Sequence, residues 1–175
     1  MKRLTERRRG KPAIALLDAL ALRDRISPAA GRAWWAMCLT GMNPAEYFSN
    51  TWEVTADRIR IRGTKRVGRR WGADAREVPR VDHITQPEIS LAGLTTALRK
   101  ATAGAVVTPG QARKVFVAWA EEAGISRTRR RLYLGHGAKD VTDLYEKREI
   151  TTFLLEDAQL LRGMLGDGRA LKVMP

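Results

Sequence analysis

The chain has 175 residues, a length that suits one domain or two small ones and excludes a large multidomain assembly. Apolar residues make up 44% of it and charged residues 29%, which excludes wholesale disorder. The 32 Lys and Arg outnumber the 19 Asp and Glu, so the net charge is +13 and a polyanionic partner is expected. The single cysteine, Cys38, lies among apolar residues and is predicted to be a core residue in a reducing compartment.

The basic start of the chain leads into an apolar stretch that charged residues interrupt from Asp18 onward, before a signal-peptide core or a membrane span is complete. We therefore expect a cytoplasmic protein without a membrane partner. Residues 1–11 are predicted to form a basic N-terminal arm, and residues 12–175 a folded domain.

The domain is predicted to begin with helices. The spacing of apolar residues predicts helices over 13–25 and 28–39. Asn43, Pro44 and Glu46 have the form of an N-cap, a first-turn proline and a capping partner, and they predict a short third helix.

A basic hairpin is predicted next. Ile59 and Ile61 alternate with arginines, which indicates a half-buried strand, and residues 76–81 are predicted to return as its partner. Residues 58–80 contain nine Lys or Arg, a concentration that favours a DNA-binding surface over a merely solvated face.

Beyond Pro87 the pattern is helical again, with helices predicted near 90–100, from Pro109 to Gly124, after Ser126 and near 150–165. The expected fold is mostly α with a small antiparallel β-sheet or hairpin, an α+β fold. Motifs for nucleotide hydrolysis, dinucleotide binding and zinc proteolysis are missing from the chain. Because it has only two histidines and one cysteine, no metal site is expected.

The stretch from Thr108 onward is the most specific part of the sequence. It reads TPGQARKVFVAWAEEAGISRTRRRLYLGHGAKDVTDLYEKREI. It resembles the end of the catalytic domain of the tyrosine recombinases, or phage integrases, where an HxxR motif precedes LGH and a nucleophilic tyrosine. Arg113 stands at the arginine of the first motif, His136 at the histidine of the second, and Tyr145 at the nucleophile. Upstream, TGMNPAEY resembles the family's TGxRxxE element, and Lys65 in IRIRGTK stands where its hairpin lysine lies.

The resemblance covers roughly residues 12–165 and implies the catalytic-domain fold of that family, without its usual N-terminal core-binding domain. It implies site-specific recombination of a mobile element through a 3′-phosphotyrosine intermediate, without a cofactor. In that chemistry Arg113 clamps the scissile phosphate and His136 donates to it. Lys65 acts as general acid, and Tyr145 attacks in line.

Double-stranded DNA is the partner that the resemblance implies, and arginines of the hairpin and of the helix after Ser126 are predicted to bind it, although the second group could equally be solvated surface. These residues are Arg60, Arg62, Arg66, Arg69, Arg70, Arg127, Arg129, Arg130 and Arg131. The final helix is expected either to dock on a neighbouring protomer of a homo-oligomer on DNA or to pack into its own core.

Two positions depart from the family's pattern. Its first active-site arginine falls on Asn43, and the histidine of its HxxR falls on Gly110. A catalytic arginine is worth about 10³ to 10⁵ in rate in related phosphoryl transfers, and a general base about 10² to 10⁴. A second hypothesis therefore stays open, in which the chain is a catalytically inactive relative that binds DNA and regulates recombination or transcription. A third, an RNA-binding protein, explains the charge but not the motif spacing.

Overall fold

The computed structural model describes residues 14–62, 66–67, 70–71, 75–103, 107–136 and 141–166. Side chains are described over 14–62, 75–103, 107–136 and 152–166. The predictions for the N-terminal arm, Lys65 and Arg69 lie outside these residues, as do those for three side chains. These are the side chains of Arg66, Arg70 and Tyr145.

The described part of the chain is mostly helical with a small antiparallel sheet, which confirms the expected α+β class. The helices are α1 (Leu16–Arg25), α2 (Pro28–Thr40), α3 (Pro44–Phe48), α4 (Leu91–Ala101), α5 (Ala112–Glu122), α6 (Arg127–Tyr133) and α7 (Val141–Gly166). The strands are β1 (Trp52–Val54), β2 (Arg58–Ile61), β3 (Arg66–Val67), β4 (Arg70–Trp71) and β5 (Arg76–Pro79). A 3-10 turn, Pro109–Gln111, leads directly into α5.

Helix α2 forms the centre of the core. From Ala33 to Thr40 every residue is buried, because α1 and α5 pack on α2 and α4 also contacts it. Cys38 is fully buried there, as predicted, and burial raises the pKa of its thiol well above the ordinary value. Trp34 is also fully buried and donates its Nε1–H to the carbonyl of Ala19 at 3.0 Å, so the indole enters the core with its polar atom paired.

The predicted pairing of β2 with β5 is confirmed, and it belongs to a three-stranded antiparallel sheet in the order β1-β2-β5, with β2 at the centre. Ile59 pairs with Val78, and both are buried, so the inner face of the sheet closes the core from one side. Strand β1 was not predicted, because three residues are too few to show a period of two. Strands β3 and β4, which lie between β2 and β5 in the sequence, form a separate two-stranded antiparallel ribbon.

Helix α7 is much longer than predicted, with 26 residues beginning at Val141 instead of near 150. Its first ten residues carry many charges and no continuous apolar stripe, so the periodicity reveals only the second half. In that half, Leu154, Ala158 and Leu161 are buried, and α7 packs against α6 and β5. Among the described residues, no helix has both the length and the apolar character needed to cross a bilayer.

Candidate active site

Helix α2 ends in a glycine turn that faces the candidate site. Gly41 has a left-handed conformation (φ 64°, ψ 16°) and donates its N–H to the carbonyl of Met37 at 3.0 Å. Glycine enters this region without the steric cost that a Cβ brings. A Cβ would also lie 2.7 Å from Cδ1 of Phe116, so the turn excludes a side chain on two independent grounds.

The predicted N-cap at Asn43 is confirmed. Its Oδ1 accepts the backbone N–H of Glu46 at 2.9 Å, and Glu46 Oε2 accepts the N–H of Asn43 at 2.8 Å. This reciprocal pair is a capping box, and it starts α3. The Asn43 side chain is thus used by its own helix, at the position where the resemblance places an arginine.

Glu46 also binds two arginines at its buried carboxylate, which is 7% exposed. Arg76 donates from Nη1 to Oε1 at 3.1 Å and from Nη2 to Oε2 at 3.0 Å. Nη1 of Arg113 lies 3.5 Å from the same Oε2. Since one carboxylate faces two guanidiniums, these three residues, which we call the Glu46 cluster, retain net positive charge.

Arg113 connects three segments that are far apart in the sequence. It donates from Nη1 to the carbonyl of Gly41 at 3.2 Å, 72 residues away, and from Nη2 to the carbonyl of Leu134, 21 residues away. Burial lowers the pKa of Arg113, and the Glu46 carboxylate opposes this. The guanidinium is charged because arginine is not deprotonated in proteins. The fold therefore brings the TG turn, the start of α5 and the LGH loop to one place.

Arg76 belongs to this site, although the sequence analysis assigned it only to the basic hairpin. It is 7% exposed and donates from Nε to the carbonyl of Tyr133 at 2.7 Å. Burial lowers its pKa to about 10, while Glu46 acts in the opposite direction. The sequence did carry a signal for the burial of Arg76, because alternation along β5 places it on the same inner face as Val78.

His136 follows directly after the turn that ends α6. Gly135 has φ 70°, and its Cβ would lie 2.9 Å from Cδ of Arg76, so the stem of that arginine passes against the turn. The backbone N–H of His136 donates to the carbonyl of Arg131 at 3.0 Å. The exposed His136 therefore lies next to Leu134, whose carbonyl accepts from Arg113.

Of the two remaining predicted catalytic residues, Tyr145 and Lys65, the structure describes only the backbone of the first. Tyr145 lies in the second turn of α7, and its side chain lies outside the described residues, as does all of Lys65. Gly110, at the other substituted position, is the exposed middle residue of the 3-10 turn before α5. A Cβ at Gly110 would meet no described heavy atom within 4 Å, so the position has room for a side chain.

The arginines predicted to bind DNA divide into different environments. On the hairpin, Arg62 is exposed, whereas Arg60 pairs with Glu77 at 2.8 Å and with Glu53 at 3.5 Å. On α6, Arg127 is exposed, and Arg130 pairs with Glu121 at 2.8 Å.

Arg129 is used inside the molecule. Its Nη1 donates to Oδ1 of Asp157 at 2.7 Å, and its guanidinium lies 4.4 Å from the ring centroid of Phe153. The hydroxyl of Tyr133 donates to Oδ2 of the same fully buried carboxylate. We call Arg129, Tyr133 and Asp157 the Asp157 cluster. It joins α6 to α7, a role that differs from the predicted DNA contact.

The part of the chain that the structure describes contains no group of three His, Cys, Asp or Glu residues that could hold a metal ion. Comparison with protein-family models, with curated proteins and with solved structures gave no match. The functional assignment therefore depends on the motifs and on the geometry around Arg113.

Proposed function

We propose that this chain is a DNA-binding protein of the tyrosine recombinase type, acting in the cytoplasm of a bacterial or phage-infected cell, with Tyr145 as the nucleophile. The observation that carries the proposal is the convergence on Arg113, whose guanidinium binds the carbonyls of Gly41 and Leu134. Those carbonyls belong to the two other motifs of the resemblance, so three motifs that were matched separately in the sequence meet at one cationic side chain.

The chemistry needs a fixed positive charge at the scissile phosphate. Arg113 is held on both sides, and its side chain is still 23% exposed, so it can meet an anion at the surface. A guanidinium has five N–H donors, more than the bonds to Gly41, Glu46 and Leu134 use, and its planar fork suits phosphate oxygens. Catalysis of phosphoryl transfer consists mainly of such positioning and charge stabilisation.

The remaining roles follow from the same motif. His136 donates to the phosphate, Lys65 protonates the leaving 5′ oxygen, and the phenol of Tyr145 attacks the phosphorus. The bond from phosphorus to the 5′ oxygen breaks as the bond to the tyrosine oxygen forms, which conserves a phosphodiester for rejoining.

A second candidate, a catalytically inactive DNA-binding relative, is favoured by a specific observation. Asn43 is committed to the capping box and offers no charge, and Gly110 offers no side chain to accept the tyrosine proton. On this alternative the positive surface binds DNA, and regulation of recombination or transcription replaces strand cleavage.

Covalent capture separates the two candidates. The protein is incubated with a pool of nicked duplexes enriched by binding, and the products are separated on a denaturing gel. Tyr145→Phe is the control, and Gly110→His is the repair variant that keeps the Asn43 cap; Asn43→Arg/Gly110→His restores both positions.

An adduct that needs Tyr145 is the expected result, and it would exclude the inactive relative. An adduct formed only by a repaired variant would instead establish a DNA-binding protein that has lost its chemistry. Absence of duplex binding by the wild type would contradict both candidates and leave the RNA-binding class, which a competition between structured RNA and duplex DNA would test.

A further inference from the structure

A basic pocket of about 780 Å³ lies between α5 and α6, next to the candidate active site. Its lining residues come from both helices and from the loop after α6. They are Val117, Glu121, Arg127, Arg130, Arg131, Leu134 and His136. Three arginines face one carboxylate, so the pocket carries a surplus of positive charge.

Arg130 is a largely buried arginine in the wall of the pocket. Its side chain is 14% exposed, and its Nε is buried without a hydrogen-bond partner among the described residues. Its Nη1 pairs at 2.8 Å with Glu121, whose own side chain is 66% exposed. The exposed carboxylate of Glu121 therefore pairs with a guanidinium that is largely buried.

The pocket adjoins the candidate active site through the loop after α6. Leu134 and His136 line it, and the carbonyl of Leu134 accepts from Arg113. An extended anion with charges at regular spacing, such as a DNA strand, can contact Arg113 with one phosphate and the pocket with another. A guanidinium binds phosphate oxygens as it binds a carboxylate, so a phosphate can replace Glu121 at Arg130.

We propose that the α5–α6 pocket binds a backbone phosphate of duplex DNA, and that Glu121 competes with this phosphate for Arg130. The proposal rests on the proposed function in that DNA is the ligand. Glu121 then weakens binding and makes it depend on displacing one surface ion pair. Arg129 takes no part, because Asp157 holds it inside the molecule.

Two neighbouring glutamates give a matched test. Glu121→Gln and Glu122→Gln remove the same charge from adjacent positions of α5, which point about 100° apart, and Glu122 does not line the pocket. Affinity for a fluorescent duplex is measured by anisotropy at several salt concentrations. Glu121→Gln is expected to tighten binding roughly tenfold, because Arg130 is released, and Glu122→Gln by about twofold through the general charge alone.

Arg130→Gln is expected to change duplex affinity in the opposite direction. It is expected to weaken binding and to reduce the slope of log affinity against log salt by about 0.9, the value for one phosphate contact. Arg99→Gln, which removes an exposed charge from α4, is expected to leave the slope unchanged. Thermal melting checks that each variant is folded.

Equal effects of Glu121→Gln and Glu122→Gln would overturn the pocket while leaving duplex binding by the wild type, and so the proposed function, intact. Failure of the wild type itself to bind duplex DNA would overturn both proposals.

Discussion

Two buried carboxylates, Glu46 and Asp157, each join separate elements of the fold by binding arginines, but they bind different numbers of them. Glu46 binds Arg76 and Arg113, joining α3, β5 and α5. Asp157 binds Arg129 and the hydroxyl of Tyr133, joining α7 to α6. The first carboxylate faces two guanidiniums and the second faces one.

The two clusters differ in net charge, and this difference bears on which of them can bind an anion. In the Asp157 cluster one negative charge meets one positive charge, so no charge is left for a ligand. In the Glu46 cluster one positive charge remains, and it lies where three motif segments meet and where Arg113 is partly exposed. On the proposed function, the Glu46 cluster is therefore the one of the two that meets the phosphate.

Loss of the Glu46 carboxylate should have the largest effect. Glu46→Gln leaves the buried Arg76 and the partly exposed Arg113 without a counter-charge and weakens the capping box, so we expect the free energy of unfolding to fall by about 3 to 5 kcal/mol. Urea denaturation measures it. Glu88→Gln, which breaks the exposed pair with Arg32, is the control and should leave stability nearly unchanged. Similar losses in the two variants would remove the distinction between a buried hub and a surface pair.

Asp157→Asn should cost less, about 2 kcal/mol, because an amide has one acceptor oxygen where the carboxylate accepts from Arg129 and Tyr133 at two. Burial raises the pKa of Asp157, although Tyr133 and Arg129 oppose this. The folded state then holds the proton more tightly than the unfolded state, so this stabilisation is greatest below the ordinary pKa of 3.8 and declines as the pH rises. The stability difference between wild type and variant should therefore widen toward pH 4 in urea titrations.

The same variant sharpens the comparison through DNA binding. On the proposed function, Asp157→Asn should leave duplex affinity close to that of the wild type, whereas Glu46→Gln should change it. Equal changes in affinity would mean that both clusters serve the site in the same way.

Gly135→Ala tests the contact between the LGH turn and the Glu46 cluster. The left-handed backbone costs a non-glycine residue about 1 to 2 kcal/mol, and the added Cβ would press on the stem of Arg76 at 2.9 Å. We expect a loss of stability near 2 kcal/mol, read from thermal melts. The control is Gly163→Ala in α7, where a Cβ would meet no described atom within 4 Å, and it should be neutral or slightly stabilising.

Asn43→Ala should have the smallest effect, about 1 kcal/mol, since it removes one N-cap hydrogen bond and leaves the Glu46 carboxylate in place. Chemical denaturation measures this loss of stability. The variant Ser90→Ala, which removes the comparable cap of α4, is measured beside it. A loss far above that of Ser90→Ala would mean that Asn43 supports the Glu46 cluster beyond capping its helix.

Local signals predicted much of this architecture. The caps at Asn43 and Ser126 and the alternation of Ile59 with Ile61 indicated helices and a strand that the structure contains. Each of these signals lies within a few residues of the element that it predicts. The start of α7 was missed for the same reason, since its charged first half carries no apolar period.

The ion clusters could not be predicted in this way. Arg129 meets Asp157 across 28 residues and Arg76 meets Glu46 across 30, and no local pattern identifies such partners. In the sequence, Arg129 resembles its neighbours Arg130 and Arg131, and only tertiary packing distinguishes the arginine that fastens a helix from those that line a pocket.

The length of α7 has a mechanical consequence for the proposed reaction. Tyr145 and Asp157 lie on one continuous helix, about 18 Å apart along its axis. The second half of α7 is held in the core by the buried residues Leu154, Asp157 and Leu161. A rotation of the helix about the Asp157 cluster would therefore move its first half. A tilt of about 5° there would carry the backbone of Tyr145 by roughly 1.6 Å, beyond the ~1 Å that in-line attack tolerates. On the proposed function, the packing around Asp157 therefore determines where the helix places the backbone of Tyr145.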